Sequence, residues 1–161
     1  MGPRLPAAEQ VVGRRALSVL ARREVSAAHL AEALARAGLD PERIAEELEV
    51  VQRLGALDDV RSAGVRALML VEKGTHGRQG MQARLLAAGY AAPLVDAALD
   101  AAIEATGWDE RIAARALLAH RPAPHGPKAV ARLGRFLLAR GFAPDTVQAA
   151  LPGLEGMEGP G

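Results

Sequence analysis

The stretch Leu30-Ala31-Glu32-Ala33-Leu34-Ala35-Arg36-Ala37-Gly38-Leu39-Asp40-Pro41-Glu42-Arg43-Ile44-Ala45-Glu46-Glu47-Leu48 decides the fold. Leu30 and Leu34 stand four apart, as do Ile44 and Leu48, and that spacing puts each pair on one face of an α-helix. Gly38, between the two pairs, suits the left-handed conformation that closes a helix, with Leu39 packing back against it. Asp40-Pro41-Glu42 opens the next helix. Proline fits the first helical position, where a missing amide hydrogen costs nothing, and the acid suits the positive end of the dipole. The stretch reads as helix, tight turn, helix.

The same frame returns twice. Met81, Leu85, Gly89, Tyr90, Val95 and Leu99 repeat it, and so do Leu133, Leu137, Gly141, Phe142, Pro144, Val147 and Leu151, at a period of 51 or 52 residues. Helical runs precede each copy at residues 14–23, 59–72 and 109–121, which predicts three helices per repeat and nine in all. Asp58-Asp59 and Gly107-Trp108-Asp109 supply caps where repeats meet, and Ser26 is a further cap. The expected fold class is all-α: an elongated tandem array of three three-helix repeats. The expected divisions are an N-terminal tail (1–12), repeats at 13–55, 56–106 and 107–151, and a flexible C-terminal tail (152–161). A unit of about 50 residues buries too little surface to be stable alone, so neighbours are expected to lean on each other. Alanine at Gly89 is expected to cost about 1 kcal/mol if φ there is positive.

Composition agrees. Ala and Leu fill 57 of 161 positions, whereas Val, Ile and Thr fill 18 and the aromatics four, which disfavours strands. The absence of cysteine excludes disulfides, thiolate metal sites and cysteine nucleophiles. With no apolar signal core and no apolar run of roughly 18 residues, the chain is expected to be soluble and cytoplasmic, without a membrane partner.

The net charge of +1 hides a pattern. The first two helices of each repeat are basic, and residues 111–140 carry seven positive charges and no negative one. The third helices are acidic, through Asp40, Glu42, Glu46, Glu47 and Glu49, then Asp96, Asp100 and Glu104. Such segregation predicts a basic surface repeated along the molecule for an extended anionic partner, against the plainer reading of solvated faces whose charges pair between helices.

Catalytic chemistry is sparse. Ser18, Ser26 and Ser62 lie in no nucleophile elbow, and His29, His76, His120 and His125 lack metal-ligand spacing. Lys73-Gly74-Thr75-His76-Gly77-Arg78-Gln79-Gly80 superficially suggests a phosphate cradle, yet no strand precedes it and no nucleotide fingerprint fits. An interhelical loop is the simpler reading. Asp58-Asp59 reads as a cap rather than a carboxylate pair, and the aromatics as core anchors rather than a stacking platform. No catalytic residue, cofactor or metal is expected.

Ala16-Leu17-Ser18-Val19-Leu20-Ala21-Arg22-Arg23-Glu24-Val25-Ser26, Leu54-Gly55-Ala56-Leu57-Asp58-Asp59 and Arg135-Phe136-Leu137-Leu138-Ala139-Arg140-Gly141-Phe142 together resemble the RecX family of bacterial regulatory proteins, in order from about residue 14 to residue 151. The resemblance implies a non-enzymatic modulator that lies in the groove of the RecA recombinase filament on DNA. It would restrain ATP hydrolysis, strand exchange and LexA cleavage, and so modulate DNA repair and the SOS response. It also departs from the family pattern: Ser62 stands where an aromatic is usual, and Met81 where a branched aliphatic is usual. The expected partners are the filament and single- or double-stranded DNA within it, met by a monomer. The contact candidates are Arg22, Arg23, Arg66, Arg78, Arg84, Arg115, Lys128, Arg132, Arg135 and Arg140. The alternatives are a helix-turn-helix-like DNA-binding module and a plain helical scaffold.

Overall fold

The structure, a computed structural model, describes residues 12–152. The two expected tails lie outside the described residues except for their inner ends. Among the described residues nine helices follow in order: α1 (Arg14–Leu20), α2 (Ala27–Arg36), α3 (Pro41–Arg53), α4 (Asp59–Lys73), α5 (Arg78–Ala87), α6 (Ala92–Thr106), α7 (Glu110–Ala119), α8 (Pro127–Ala139) and α9 (Pro144–Ala150). No strand occurs among the described residues.

The turn between second and third helices is built three times from the same bonds. Gly38, Gly89 and Gly141 have φ of 91°, 93° and 78°. The amides of Leu39, Tyr90 and Phe142 donate to the carbonyls of Leu34, Leu85 and Leu137, a backward bond that satisfies a helix C-terminal carbonyl. Asp40, Asp58 and Asp109 cap α3, α4 and α7 through the amides three residues on, as Ser26 caps α2.

The large buried side chains form three clusters. One gathers Ala16, Val25, Leu30, Leu34, Val51 and Leu57; the next runs from Ala63 through Met81, Leu85 and Tyr90 to Ala102; the last joins Ala113, Leu137, Phe142, Val147 and Leu151. The closely packed helix pairs fall within α1–α3, within α4–α6 and within α7–α9. Ala56 and Leu57, assigned by the sequence frame to the second repeat, pack into the first cluster because the chain has not yet left it. Trp108 packs against the second and third clusters together.

Neighbouring units meet through turns and helix ends, in the same way at both junctions. Asp58 caps its own helix while Asp59 accepts the amide of Ala27, the first residue of α2, at 2.9 Å. Asp109 likewise caps α7 while Glu110 accepts the amide of Arg78, the first residue of α5, at 2.9 Å. Ser26 donates its hydroxyl to the carbonyl of Ala88, and the amide of Gly77 donates to that of Arg140. A side chain at Gly77 or Gly80 would overlap the Arg140-Gly141 backbone, so these two glycines serve helix-to-turn packing, while Gly74, with a φ of 65° and nothing within 4 Å of an added Cβ, closes α4. That geometry favours the interhelical-loop reading over the phosphate cradle.

Three details differ from expectation. The first helix stops at Leu20, leaving Arg22 and Arg23 in the turn that brings Val25 into the core. Glu47, expected on a solvated acidic face, is 1% exposed and accepts the amide of Ala16 at 3.2 Å. Ser62 is buried in a hydrogen bond with the Tyr90 hydroxyl, so the tyrosine ring brings to this core an aromatic that position 62 lacks.

Candidate functional site

The first junction leaves a groove of about 690 Å³ between the α1–α2 turn and helices α4 and α5. Val65 and Met69, one helical turn apart on α4, line it, with Leu70 and Leu85 deeper. Met69 is 64% exposed and Val65 44%, so together they leave an apolar strip of α4 open to solvent within the groove. Arg23, Arg66 and Arg84 line the same groove with Glu24 and His29. Arg66 is fixed by donating to the carbonyl of Glu24 at 3.1 Å, whereas Arg23 has no ion pair or hydrogen bond among the described residues.

Arg84 also faces the second junction. Its Nε donates to Nε2 of His76 at 2.9 Å, so the ring proton lies on Nδ1, which donates to Thr75 Oγ1 at 2.9 Å. Burial, then the charges of Arg84, Arg140 and Lys73, hold the His76 pKa below its usual value. His76 is therefore a neutral acceptor inside a group of three cations. Arg140 donates to the carbonyl of Thr75 at 3.1 Å and places its guanidinium 4.8 Å from the centre of the Phe136 ring. The Arg121 guanidinium stacks on the same ring at 3.7 Å.

The other candidates are distributed differently. Lys128, Arg132 and Arg135, at spacings of four and three, form one exposed row on α8. Arg115 is exposed on α7, and Arg22 is exposed after α1. Arg78 is already matched by Asp100 of α6 at 2.8 Å. Asp96 of the same acidic helix accepts from Gln82, so α6 is less starved of partners than its charge count implies. The structure thus gathers Arg23, Arg66 and Arg84 at one junction, and Arg84 and Arg140 with Lys73 at the next.

Met69 escaped the sequence reading; Arg121 entered it only as one charge of a basic run, while Lys73 and His76 entered it as parts of the loop at 73–80. The signal for Met69 was its place one turn beyond Val65; the grouping of Lys73 and His76 with Arg140 depends on a contact across 65 residues, the bond from Arg140 to the Thr75 carbonyl. Among the described residues no three His, Asp or Glu side chains stand where they could hold a metal ion, and no helix is long and apolar enough to cross a membrane.

The class these features define is an all-helical repeat protein with cationic side chains clustered where its units join. No family model matches the chain. It is 35% identical over 147 residues to the regulatory protein RecX of Halorhodospira halophila (strain DSM 244 / SL1), spanning 89% of this chain and 88% of that protein. It is 35% identical over 139 residues to the regulatory protein RecX of Leptothrix cholodnii (strain ATCC 51168 / LMG 8142 / SP-6), spanning 85% of each. The crystal structure of a regulatory protein RecX superposes with a TM-score of 0.71 over 93% of this chain and 80% of that one, at 15% identity, and shares the fold. The chain belongs to the RecX family of regulatory proteins.

Proposed function

We propose that this protein is a stoichiometric, non-enzymatic regulator that binds the RecA filament on DNA and restrains its ATP hydrolysis, strand exchange and LexA cleavage, acting as a cytoplasmic monomer. The observation that carries the reading is the clustering of Arg23, Arg66, Arg84 and Arg140 at two equivalent junctions, with the α8 row beyond them. We take residues 13–55, 56–106 and 107–151 as its modules. Linked modules raise one another's effective concentration once the first docks, so weak contacts to successive protomers suffice. Cations spread over the modules meet phosphate or acidic protein along the filament.

The test is a RecA ATPase titration run beside filament binding over a range of salt. Inhibition should follow the ratio of this protein to filament. Arg132→Glu with Arg135→Glu should weaken binding and flatten its salt dependence, because fewer counterions are released. The double variant should stay folded, since both residues are exposed. The control is Glu49→Lys with Glu104→Lys, both exposed, and it should bind at least as tightly as the parent. Glu47 is unsuitable for that purpose because it is buried. Undiminished binding by the folded Arg132/Arg135 variant at every salt concentration would overturn the assignment of this face. Tight binding to bare duplex, equal to filament, would favour a DNA-binding module instead.

A further inference from the structure

The groove at the first junction combines two properties that nucleic acid does not need together. Its rim is cationic, with Arg23, Arg66 and Arg84 against Glu24, and with His29 held toward Glu32 at 4.0 Å at its edge. Its wall is aliphatic and exposed, through Val65 and Met69. None of the four aromatic residues lines it, so a nucleobase finds no ring to stack on. Methionine, unbranched and polarizable, adapts to an apolar side chain of varied shape.

We infer that this groove docks an acidic amphipathic helix of a partner protein, whose apolar side chains seat on Val65 and Met69 while carboxylates on its flanks meet Arg23, Arg66 and Arg84. An amphipathic helix presents apolar residues at i, i+3, i+4 and i+7 with charges beside them, which is the pattern complementary to an aliphatic wall under a cationic rim. Arg66 and Arg84 are already oriented, by the Glu24 carbonyl and by His76, so less side-chain freedom is lost on docking. The inference rests on the proposed function only in taking the basic side as the working side. It divides the labour: protein docking at the first junction, and polyanion contact along α8.

The full chain would be titrated into a fluorescein-labelled 18-residue helical peptide with Leu at the i, i+3, i+4, i+7 positions and Glu elsewhere. A second peptide carries Lys for Glu, and an 18-nucleotide thymidine strand serves as competitor. The acidic peptide should bind at least tenfold more tightly than the basic one, and the oligonucleotide should not displace it at equal concentration. Met69→Glu, at an exposed position, should weaken it at least tenfold, Arg23→Glu about fivefold, and Leu138→Glu, exposed and outside the groove, not at all. Equal binding of both peptides, displacement by the oligonucleotide, or unchanged binding by a folded Met69→Glu chain each overturns the inference. A chain that binds filament but not the acidic peptide overturns the groove assignment and leaves the proposed function standing.

Discussion

Gly38, Gly89 and Gly141 share one backbone conformation and differ in what a methyl group would meet. At Gly38 an added Cβ has nothing within 4 Å, at Gly89 it comes to 2.5 Å from the Ser26 hydroxyl, and at Gly141 it overlaps the backbone of Gly80. Alanine at Gly38 should therefore cost only the left-handed strain, about 1–2 kcal/mol. Gly89→Ala should cost more than Gly38→Ala, because it adds a clash to the same strain, and Gly141→Ala most of all, since backbone cannot step aside. Urea midpoints of the three variants check the order. His76 makes a separate prediction at this scale. Its pKa is lowered in the folded protein, so as pH falls through the usual 6.5 the unfolded chain takes up the proton first. The stability it contributes is complete above that pH and is lost between it and the lower folded value. Ring resonances should place the His76 titration below that of an exposed histidine, and His76→Gln should flatten the acid limb of the stability profile.

Between elements, the carboxylates at the head of one unit's first helix cap the middle helix of the unit before. Glu110 serves Arg78 and Ala143 through their amides and Thr146 through its hydroxyl at 2.8 Å, whereas Asp59 accepts one such bond from Ala27. Hydrogen bonds to a charged acceptor contribute about 1.5–3 kcal/mol each when they are lost in full. Glu110→Ala should cost about 2–4 kcal/mol and Asp59→Ala about 1–2, measured by urea unfolding; equal costs would mean that the extra bonds contribute nothing. The helices and their glycine turns were legible because they are written in local spacing. Asp58 was legible as a cap for the same reason. The partner of Asp59 was not, since nothing in the neighbourhood of residue 59 points to residue 27. Glu47 lies between these cases: it stands three residues after Ile44 and four before Val51, on the inward face, but its acidic neighbours made it read as solvent-facing. Arg23, Arg66 and Arg84 were legible as cations, and their convergence on one groove was not, because it depends on how two units meet.

For the molecule as a whole, the middle unit holds the largest core cluster, and α4 packs on α6 more extensively than any other pair. It is also buttressed on both sides. In an array whose stability adds up from units and their interfaces, the middle unit should open last. Amide hydrogen exchange should be slowest in α4 and α6, with α1 and α9 the first to exchange; uniform protection would show that the units unfold together. The capping bonds also give the array a polarity. Each carboxylate is supplied by the later unit and used by a helix N-terminus of the earlier one. At the third unit the position that would ask for such a bond is Pro127, the first residue of α8, which has no amide hydrogen to offer. Loss of the last unit would thus strand the amides of Arg78 and Gly77, while loss of the first would release the carboxylate of Asp59, the carbonyl of Ala88 and the guanidinium of Arg66, which water solvates readily. A protein shortened from its two ends should fail unequally, and the chain order of the units is therefore a directional property of the fold, with a proline at the head of the third unit's middle helix where the other two units present an amide.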